Sequence, residues 1–259
     1  MLRDKISEVM THRVVTAAEN STVYEAACVM AERNIGSILV AEGGRVKGIL
    51  TERDILRQLG SGDNLEDMLV SDLMTTHVVK ASPGTSITDA ADILIKHNFR
   101  RLPVVEGDML IGIVTATDLT FEMESPRAAG TVSQYMSGKV STVSPKATVA
   151  EAVKAMVKRN IGSVVVVDGE KVIGILTERD ILRNVVAKKR KAGETRVSQV
   201  MSPETVTLHP GTQISHTCHL MYYYGFRRFP VVDDDGRLVG VISEKDVLKA
   251  LRPTYAKAR

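Results

Sequence analysis

A hydroxyl and a carboxylate recur at one fixed spacing in four heptapeptides: GILTERD at 48–54, GIVTATD at 112–118, GILTERD at 174–180 and GVISEKD at 240–246. A Thr or Ser ahead of a helix, with an acid three residues on, forms a capping box that satisfies orphan amides and complements the helix dipole. Capping tolerates Glu, Gln or Asp at the third position, yet every copy carries Asp. The same pairs, Thr51/Asp54, Thr115/Asp118, Thr177/Asp180 and Ser243/Asp246, therefore also suit a ligand that needs hydroxyl contacts and a fixed acceptor. A second constellation is the arginine pair, Arg100 with Arg101 and Arg227 with Arg228. Each pair opens a predicted strand, where alternation sends neighbours to opposite faces. Such a pair is either a solvated strand end or, through the guanidinium fork, a phosphate contact. Arg53, Arg179 and Lys245 add positive charge inside the heptapeptides, with Thr117 in the second copy. His216, Cys218 and His219 resemble a metal set by type, but Cys218 falls at a core position of an amphipathic helix, so no metal is expected.

The elements that position these residues are themselves repeated. The four acids lie 64, 62 and 66 residues apart, so one unit is used four times, with boundaries at 1–62, 63–125, 126–190 and 191–259. Each unit opens with a short apolar segment ending in Met (Met10, Met74, Met136, Met201), followed by a β-like piece such as 14–16 or 78–80. The period then changes to i, i+3, i+4, i+7. Val23, Ala26, Ala27 and Met30 predict an amphipathic helix, as do Ile87 to Leu94, Val149 to Met156 and Ile214 to Met221. Two apolar runs around a turn, 37–41 and 46–50 in the first copy, predict a β-hairpin, and the Thr-x-x-Asp box then starts a last helix, 52–59 before Gly60. A strand-helix-strand-strand-helix unit of this size cannot bury both faces of its sheet, so the expected fold is α/β (α+β) with repeats covering one another. Repeats one and three share the decapeptide GILTERDILR, while two and four share FRRxPVV, an A-B-A-B array whose halves meet at 124–130.

Composition excludes several classes. In 259 residues, 44% are hydrophobic and 25% charged, which affords a core without staples, and a net charge of +3 is small for a protein that wraps nucleic acid. Two cysteines, Cys28 and Cys218, both in helical patterns, make neither a disulfide framework nor a four-cysteine metal site. No signal-like apolar core follows Met1, and the apolar stretch 161–167 is too short for a membrane span, so a cytoplasmic protein is expected. The run Lys188 to Lys191 is a solvated connection by default, with nucleic-acid contact as the other reading.

Four heptapeptides in register, each preceded by the same helix and hairpin, resemble the cystathionine-beta-synthase (CBS) domain, over nearly the whole chain. The resemblance implies a non-enzymatic regulatory module that takes adenosine-containing ligands (AMP, ADP, ATP with magnesium, or S-adenosylmethionine) in clefts between paired repeats. No nucleophile-base-orienter grouping is discerned, so a response passed to a separate effector protein or enzyme is expected. The four-repeat arrangement is similar to the gamma subunit of AMP-activated protein kinase, which implies two pseudo-twofold pairs, repeats one with two and three with four. These would form a flat disc within one chain or between two. On that resemblance the acids accept from a ribose diol, since carboxylates repel phosphate, the hydroxyls face the ligand, and the arginines suit its phosphate. Thr16, Lys80, Thr142 and Thr207 match a ligand-contacting position, or are polar strand ends. Ile35, Gly36, Phe99, Ile161, Gly162 and Phe226 would offer apolar and backbone surface to a base, or are sheet residues. Family geometry sets Thr51/Asp54 opposite Lys80 and Phe99 to Arg101, and Thr177/Asp180 opposite Thr207 and Phe226 to Arg228. The reciprocal clefts, Asp118 with Thr16 and Ile35-Gly36 and Asp246 with Thr142 and Ile161-Gly162, lack arginine and are expected to hold phosphate less well. The alternative reading is a nucleic-acid-binding protein on the same scaffold.

Overall fold

The structure, a computed structural model, describes residues 4–62, 64–123, 130–203 and 205–257. The stretch expected to join the two halves lies outside these apart from Gly130. The four apolar stripes fold as helices Val23–Glu32, Ile87–His97, Val149–Arg159 and Ile214–Tyr224, and the residues that define each stripe are the ones it buries. Thr22 and Thr148 cap theirs through boxes with Glu25 and Glu151. Left-handed residues end three of the helices: Asn98 (φ 57°), Asn160 (φ 52°) and Gly225 (φ 66°). Asn and Gly are the residues that enter this region at least cost.

Each hairpin is antiparallel: Ser37–Glu42 on Arg45–Thr51, Arg101–Glu106 on Met109–Thr115, Ser163–Asp168 on Lys171–Thr177 and Arg228–Val232 on Leu238–Ser243. All four shift register late in the first strand, at 40/41, 104/105, 166/167 and 231/232. Thr16–Ala17 and Thr142–Val143 add parallel strands to the first and third hairpins. In the second and fourth repeats the corresponding pairing shrinks to the single bridges Ala81 with Val104 and Leu208 with Val231. The last helices are Glu52–Ser61, Ala116–Glu122, Glu178–Ile181 and Glu244–Lys257. The first runs past the expected stop at Gly60 and ends on Gly62, whose φ of 85° closes it. After Glu178–Ile181 the same decapeptide opens into a π turn, Leu182–Val186.

The described residues form two compact units, each taking one repeat from each half of the chain. The odd unit, Val15–Val78 with Val140–Thr205, holds the body of repeats one and three. The even unit, Met1–Val14 with Val79–Lys139 and Val206–Arg259, holds that of repeats two and four. In the odd unit helix Glu52–Ser61 packs on Val149–Arg159, and Leu182–Val186 packs on Val23–Glu32. The identical decapeptides thus trade leucines: Leu56 is buried among Val149, Val153 and Met156, and Leu182 among Val23, Ala27 and Met30. In the even unit helix Glu244–Lys257 packs on Ile87–His97, and Ala116–Glu122 on Ile214–Tyr224.

The opening segments are exchanged between consecutive repeats. Thr11, which opens repeat one, bridges Ile113 of repeat two, and Thr75, which opens repeat two, bridges Ile49 of repeat one. Ser137 and Val241, and Ser202 and Ile175, repeat the arrangement for repeats three and four. The exchange explains both the recurrent Met and the Gly that starts each heptapeptide. A Cβ on Gly240 would lie 2.6 Å from Met136 Sδ, and one on Gly174 would lie 3.0 Å from Met201 Sδ. Met74 covers Gly48 and Met10 covers Gly112 in the same way. Forcing a methyl into such packing costs about 1–3 kcal/mol. Gly240→Ala should therefore destabilise the protein by that amount, and Met136→Ala should cost less in the Gly240→Ala background than alone. A double-mutant cycle by chemical denaturation that returned simple additivity would contradict this account.

Candidate functional site

The four boxes close at the junction of hairpin and helix, each through one carboxylate oxygen. Asp54 Oδ2 accepts from the Thr51 amide at 3.0 Å and hydroxyl at 2.6 Å. Asp118 Oδ2 accepts from Thr115 at 2.7 and 2.8 Å, Asp180 Oδ2 from Thr177 at 2.8 and 2.6 Å, and Asp246 Oδ2 from Ser243 at 2.9 and 2.5 Å. The full capping box closes at Thr51, Thr115 and Thr177, and at Ser243 the amide and hydroxyl both donate to Asp246. The second oxygen distinguishes the copies. Asp180 Oδ1 accepts from Ser202 Oγ at 3.2 Å, and Asp54 Oδ1 lies 3.6 Å from Arg57 Nη1. Oδ1 of Asp118 and of Asp246 takes no hydrogen bond from another described residue. Burial pushes the Asp118 and Asp180 carboxyls above the ordinary range, against the pull of their Thr hydrogen bonds.

The residues between hydroxyl and acid meet those of the other repeat in the same unit. In the odd unit Arg53 Nε donates to Glu178 Oε1 at 2.9 Å and Arg179 Nε donates to Glu52 Oε1 at 3.3 Å. Both glutamates are buried, and Arg53 Nη1 also reaches Asn160 Oδ1 at 3.1 Å. Arg53 and Arg179, expected only as positive charge near the helix starts, are committed to these glutamates. The even unit keeps half of the arrangement. Ala116 replaces Glu52 and Thr117 replaces Arg53, so Glu244 Oε1 accepts from Thr117 Oγ1 at 2.5 Å while Lys245 bonds Asn98. Glu244 is 6% exposed. Its burial raises its pKa, against Thr117 and the nearby Arg100, Arg101 and Arg228, which pull it down.

Strand register fixes the other candidates. Arg101 pairs with Thr115 and Arg228 with Ser243, where the odd unit has Ser37 with Thr51 and Ser163 with Thr177. The carbonyls of Arg100 and Arg227 accept the amides of Ala116 and Glu244, as those of Gly36 and Gly162 accept Glu52 and Glu178. Gly36 and Gly162 are buried, Ile35 and Ile161 are half-buried, and Thr16, Lys80, Thr142 and Thr207 are exposed. Phe99 stacks on His97 at 5.4 Å between centroids and Phe226 on Tyr224 at 5.6 Å. Of the residues expected together, Thr51 and Asp54 belong to the odd unit and Lys80 and Phe99 to Arg101 to the even one. Cys218 is buried and its thiol approaches the Thr120 carbonyl at 3.6 Å, while His219 Nδ1 lies 2.9 Å from the Ser215 carbonyl. Among the described residues no group of three or more His, Cys, Asp and Glu is placed to hold a metal, and no helix is long and apolar enough to cross a membrane. The basic run is partly tied down, Lys189 to Glu66 and Lys191 to Glu194 at 3.0 Å.

The family profile for the CBS domain matches residues 6–61, 70–125, 132–187 and 197–253. The chain is similar to the CBS domain-containing protein YhcV of Bacillus subtilis, 40% identical over 126 residues that make up 48% of this chain and 89% of that protein. It is 30% identical to the uncharacterised protein MJ1225 of Methanocaldococcus jannaschii over 249 residues, 96% of this chain and 70% of that protein. The crystal structure of MJ1225, described as a proposed archaeal homologue of g-AMPK, superposes with a TM-score of 0.84 at 20% structural-alignment identity. It covers 95% of this chain and 99% of that one, which establishes a shared fold. Against CBSCBSPB3 of Arabidopsis thaliana, 27% identical, the chain spans 51% of the relative's length.

Removing one partner of a buried ion pair leaves the other charge uncompensated. With Arg53 and Arg179 about a quarter exposed on their side chains (27% and 24%), the penalty is set below that of a fully buried pair. Arg179→Ala should destabilise by about 2–3 kcal/mol, a loss visible in denaturant titration, with Glu52→Gln in the same background costing little more. Glu244 gives a pH signature. Its folded pKa is raised, so the native state holds its proton more tightly than the unfolded chain does, and stability falls as pH rises above the ordinary value of 4.5. Relative to Glu244→Gln, the wild type should lose ground as pH rises from 4 to 7 in parallel thermal melts.

Proposed function

Because the chain belongs to the CBS domain family, with four copies filling most of its length, we propose that it is a non-enzymatic regulatory protein of the cytoplasm. It binds an adenosine-containing ligand, such as AMP, ADP, ATP with magnesium or S-adenosylmethionine, and passes the binding event to a separate protein partner. Repeats of 62 to 69 residues, bounded near 62, 125 and 190, carry the ligand residues. The observation that carries this reading is the fourfold box. A hydroxyl fixes each acid at 2.5–2.8 Å, which orients a carboxylate before any ligand arrives. Basic residues, Arg101 and Arg228, stand across the hairpin from two of the boxes. An acid held this way suits a diol, and guanidinium beside it suits phosphate. Cys28 and Cys218 are free thiols, in keeping with a reducing compartment.

A ligand that binds only the folded state stabilises it by mass action, about 2.7 kcal/mol at a hundredfold excess over Kd. AMP and adenosine should raise the melting temperature of the full chain, and adenine, which lacks the diol, should raise it much less. Equal shifts for adenine and adenosine would reduce the four acids to helix caps.

A further inference from the structure

The helix Ile214–Tyr224 lacks what its three counterparts share. Val23–Glu32, Ile87–His97 and Val149–Arg159 are capped by the side chains of Thr22, Ser86 and Thr148, and each carries an acid in its first turn, Glu25, Asp89 or Glu151. Two of them end on basic residues, Lys96 with His97 and Lys158 with Arg159. Caps and end charges both steady a helix by answering its orphan amides and its dipole. In Ile214–Tyr224 Gln213 makes no side-chain cap, and none of the eleven residues is Asp, Glu, Lys or Arg. The buried stripe, Ile214, Thr217, Cys218 and Met221, is the ordinary one. The departure is confined to the other face, and local rules give way where a surface has a further use.

With about 3.6 residues per turn, His216, His219, Tyr222 and Tyr223 fall on one outward arc, and all four are exposed. The equivalent positions are Asp89, Asp92, Ile95 and Lys96 in the second repeat and Glu151, Lys154, Val157 and Lys158 in the third, three charges of four in each. Phe121, from the helix Ala116–Glu122 of the same unit, stacks on Tyr222 with centroids 4.5 Å apart, and Tyr223 meets Tyr224 edge-on at 5.0 Å. Tyr223 is 80% exposed, Tyr222 62%, and Phe121 and Tyr224 46% each. A fully buried aromatic side chain removes about 150–250 Å² from water, so these four rings leave on the order of 500 Å² of contiguous aromatic surface in solvent. A patch of that extent marks a contact surface.

We propose that two copies of this chain pair through the aromatic face of helix Ile214–Tyr224 and Phe121, about a twofold axis. Area and charge both favour a second copy as the occupant. Two such faces together bury about 1,000 Å², the lower bound of a specific interface. A twofold contact sets the same patch against itself, so any charge on it meets its own like. The charged faces of the second and third repeats are poorly suited to that arrangement, and the helix that carries no Asp, Glu, Lys or Arg is suited to it. Tyrosine supplies large area at small side-chain entropy cost, with a hydroxyl to bond across the seam. An interface of this size forms a reversible dimer, and it forms whether or not the chain binds a nucleotide.

Sedimentation velocity of the full chain between about 1 and 300 µM tests the pairing, and the wild type should climb from one chain mass toward two with a Kd on the order of 10 µM. Tyr223→Glu brings two like charges into the interface and should weaken association at least about tenfold. Lys158→Glu, at the equivalent position of the third repeat, should leave it unchanged. The chain has no Trp, so Tyr223→Trp supplies a single reporter whose emission should shift to the blue as concentration rises. That variant carries the test if Tyr223→Glu does not fold. A wild type that stays monomeric across the range overturns the proposal, and its flotation with phosphatidylcholine vesicles would assign the face to a lipid surface instead. A dimer unmoved by Tyr223→Glu, or one in which the Trp emission stays that of an exposed ring, lies on another face and overturns it as well.

Discussion

The bond from Thr or Ser to the Asp three residues on is the point from which the rest of each repeat is set out. It turns an antiparallel strand into a helix within one residue. Thr51 is at once the last residue of its strand and the N-cap of helix Glu52–Ser61, and Thr115 and Thr177 do the same. With that turn fixed, the next two residues have nowhere to go but toward the neighbouring repeat of the same unit. That is why Glu52 and Arg53 meet Arg179 and Glu178. The cap also explains how a carboxylate is kept half-buried: two donors hold one oxygen and leave the second to its surroundings.

Identical sequence does not give identical surroundings. The decapeptide at 48–57 and its copy at 174–183 trade leucines and ion pairs symmetrically, yet one continues as an α-helix and the other as a π turn. The residues that follow differ, Gln58-Leu59-Gly60 against Asn184-Val185-Val186. The even unit departs further, because Ala116 and Thr117 remove one member of each ion pair. Glu244 remains as a buried acid whose direct hydrogen bond is to a hydroxyl.

Local periodicity made the helices and hairpins legible. Val23, Ala26, Ala27 and Met30 announce their helix and are the residues it buries, because burial on one face and the 3.6-residue period are the same fact. The boxes were legible as well, as caps. The Arg53–Glu178 and Arg179–Glu52 pairs were not. They join residues 125 and 127 positions apart, and a sequence carries no periodic trace of so distant a contact. The glutamates were in view inside a repeated decapeptide, and the 126-residue period was the one available hint. The Gly of each heptapeptide was likewise visible without its reason, since the reason is a Met brought from the opening segment of another repeat. The unequal second oxygens of the four acids depend on Ser202 and Arg57, and the decapeptide that holds Arg57 recurs at 174–183 without marking which copy makes the contact.

The alternation of repeats in the compact units has a consequence for how the chain emerges from the ribosome. Repeat one cannot bury Leu56 until Val149 to Met156 of repeat three have been made, and repeat two waits for the helix Glu244–Lys257 at the far end. At about 5–20 residues per second, that interval is on the order of ten seconds. During it the nascent first half presents an apolar helix face with its partner still untranslated. Late closure of this kind favours slow, chaperone-attended maturation, and it makes premature termination between the two halves a source of sticky fragments rather than of a working half-protein.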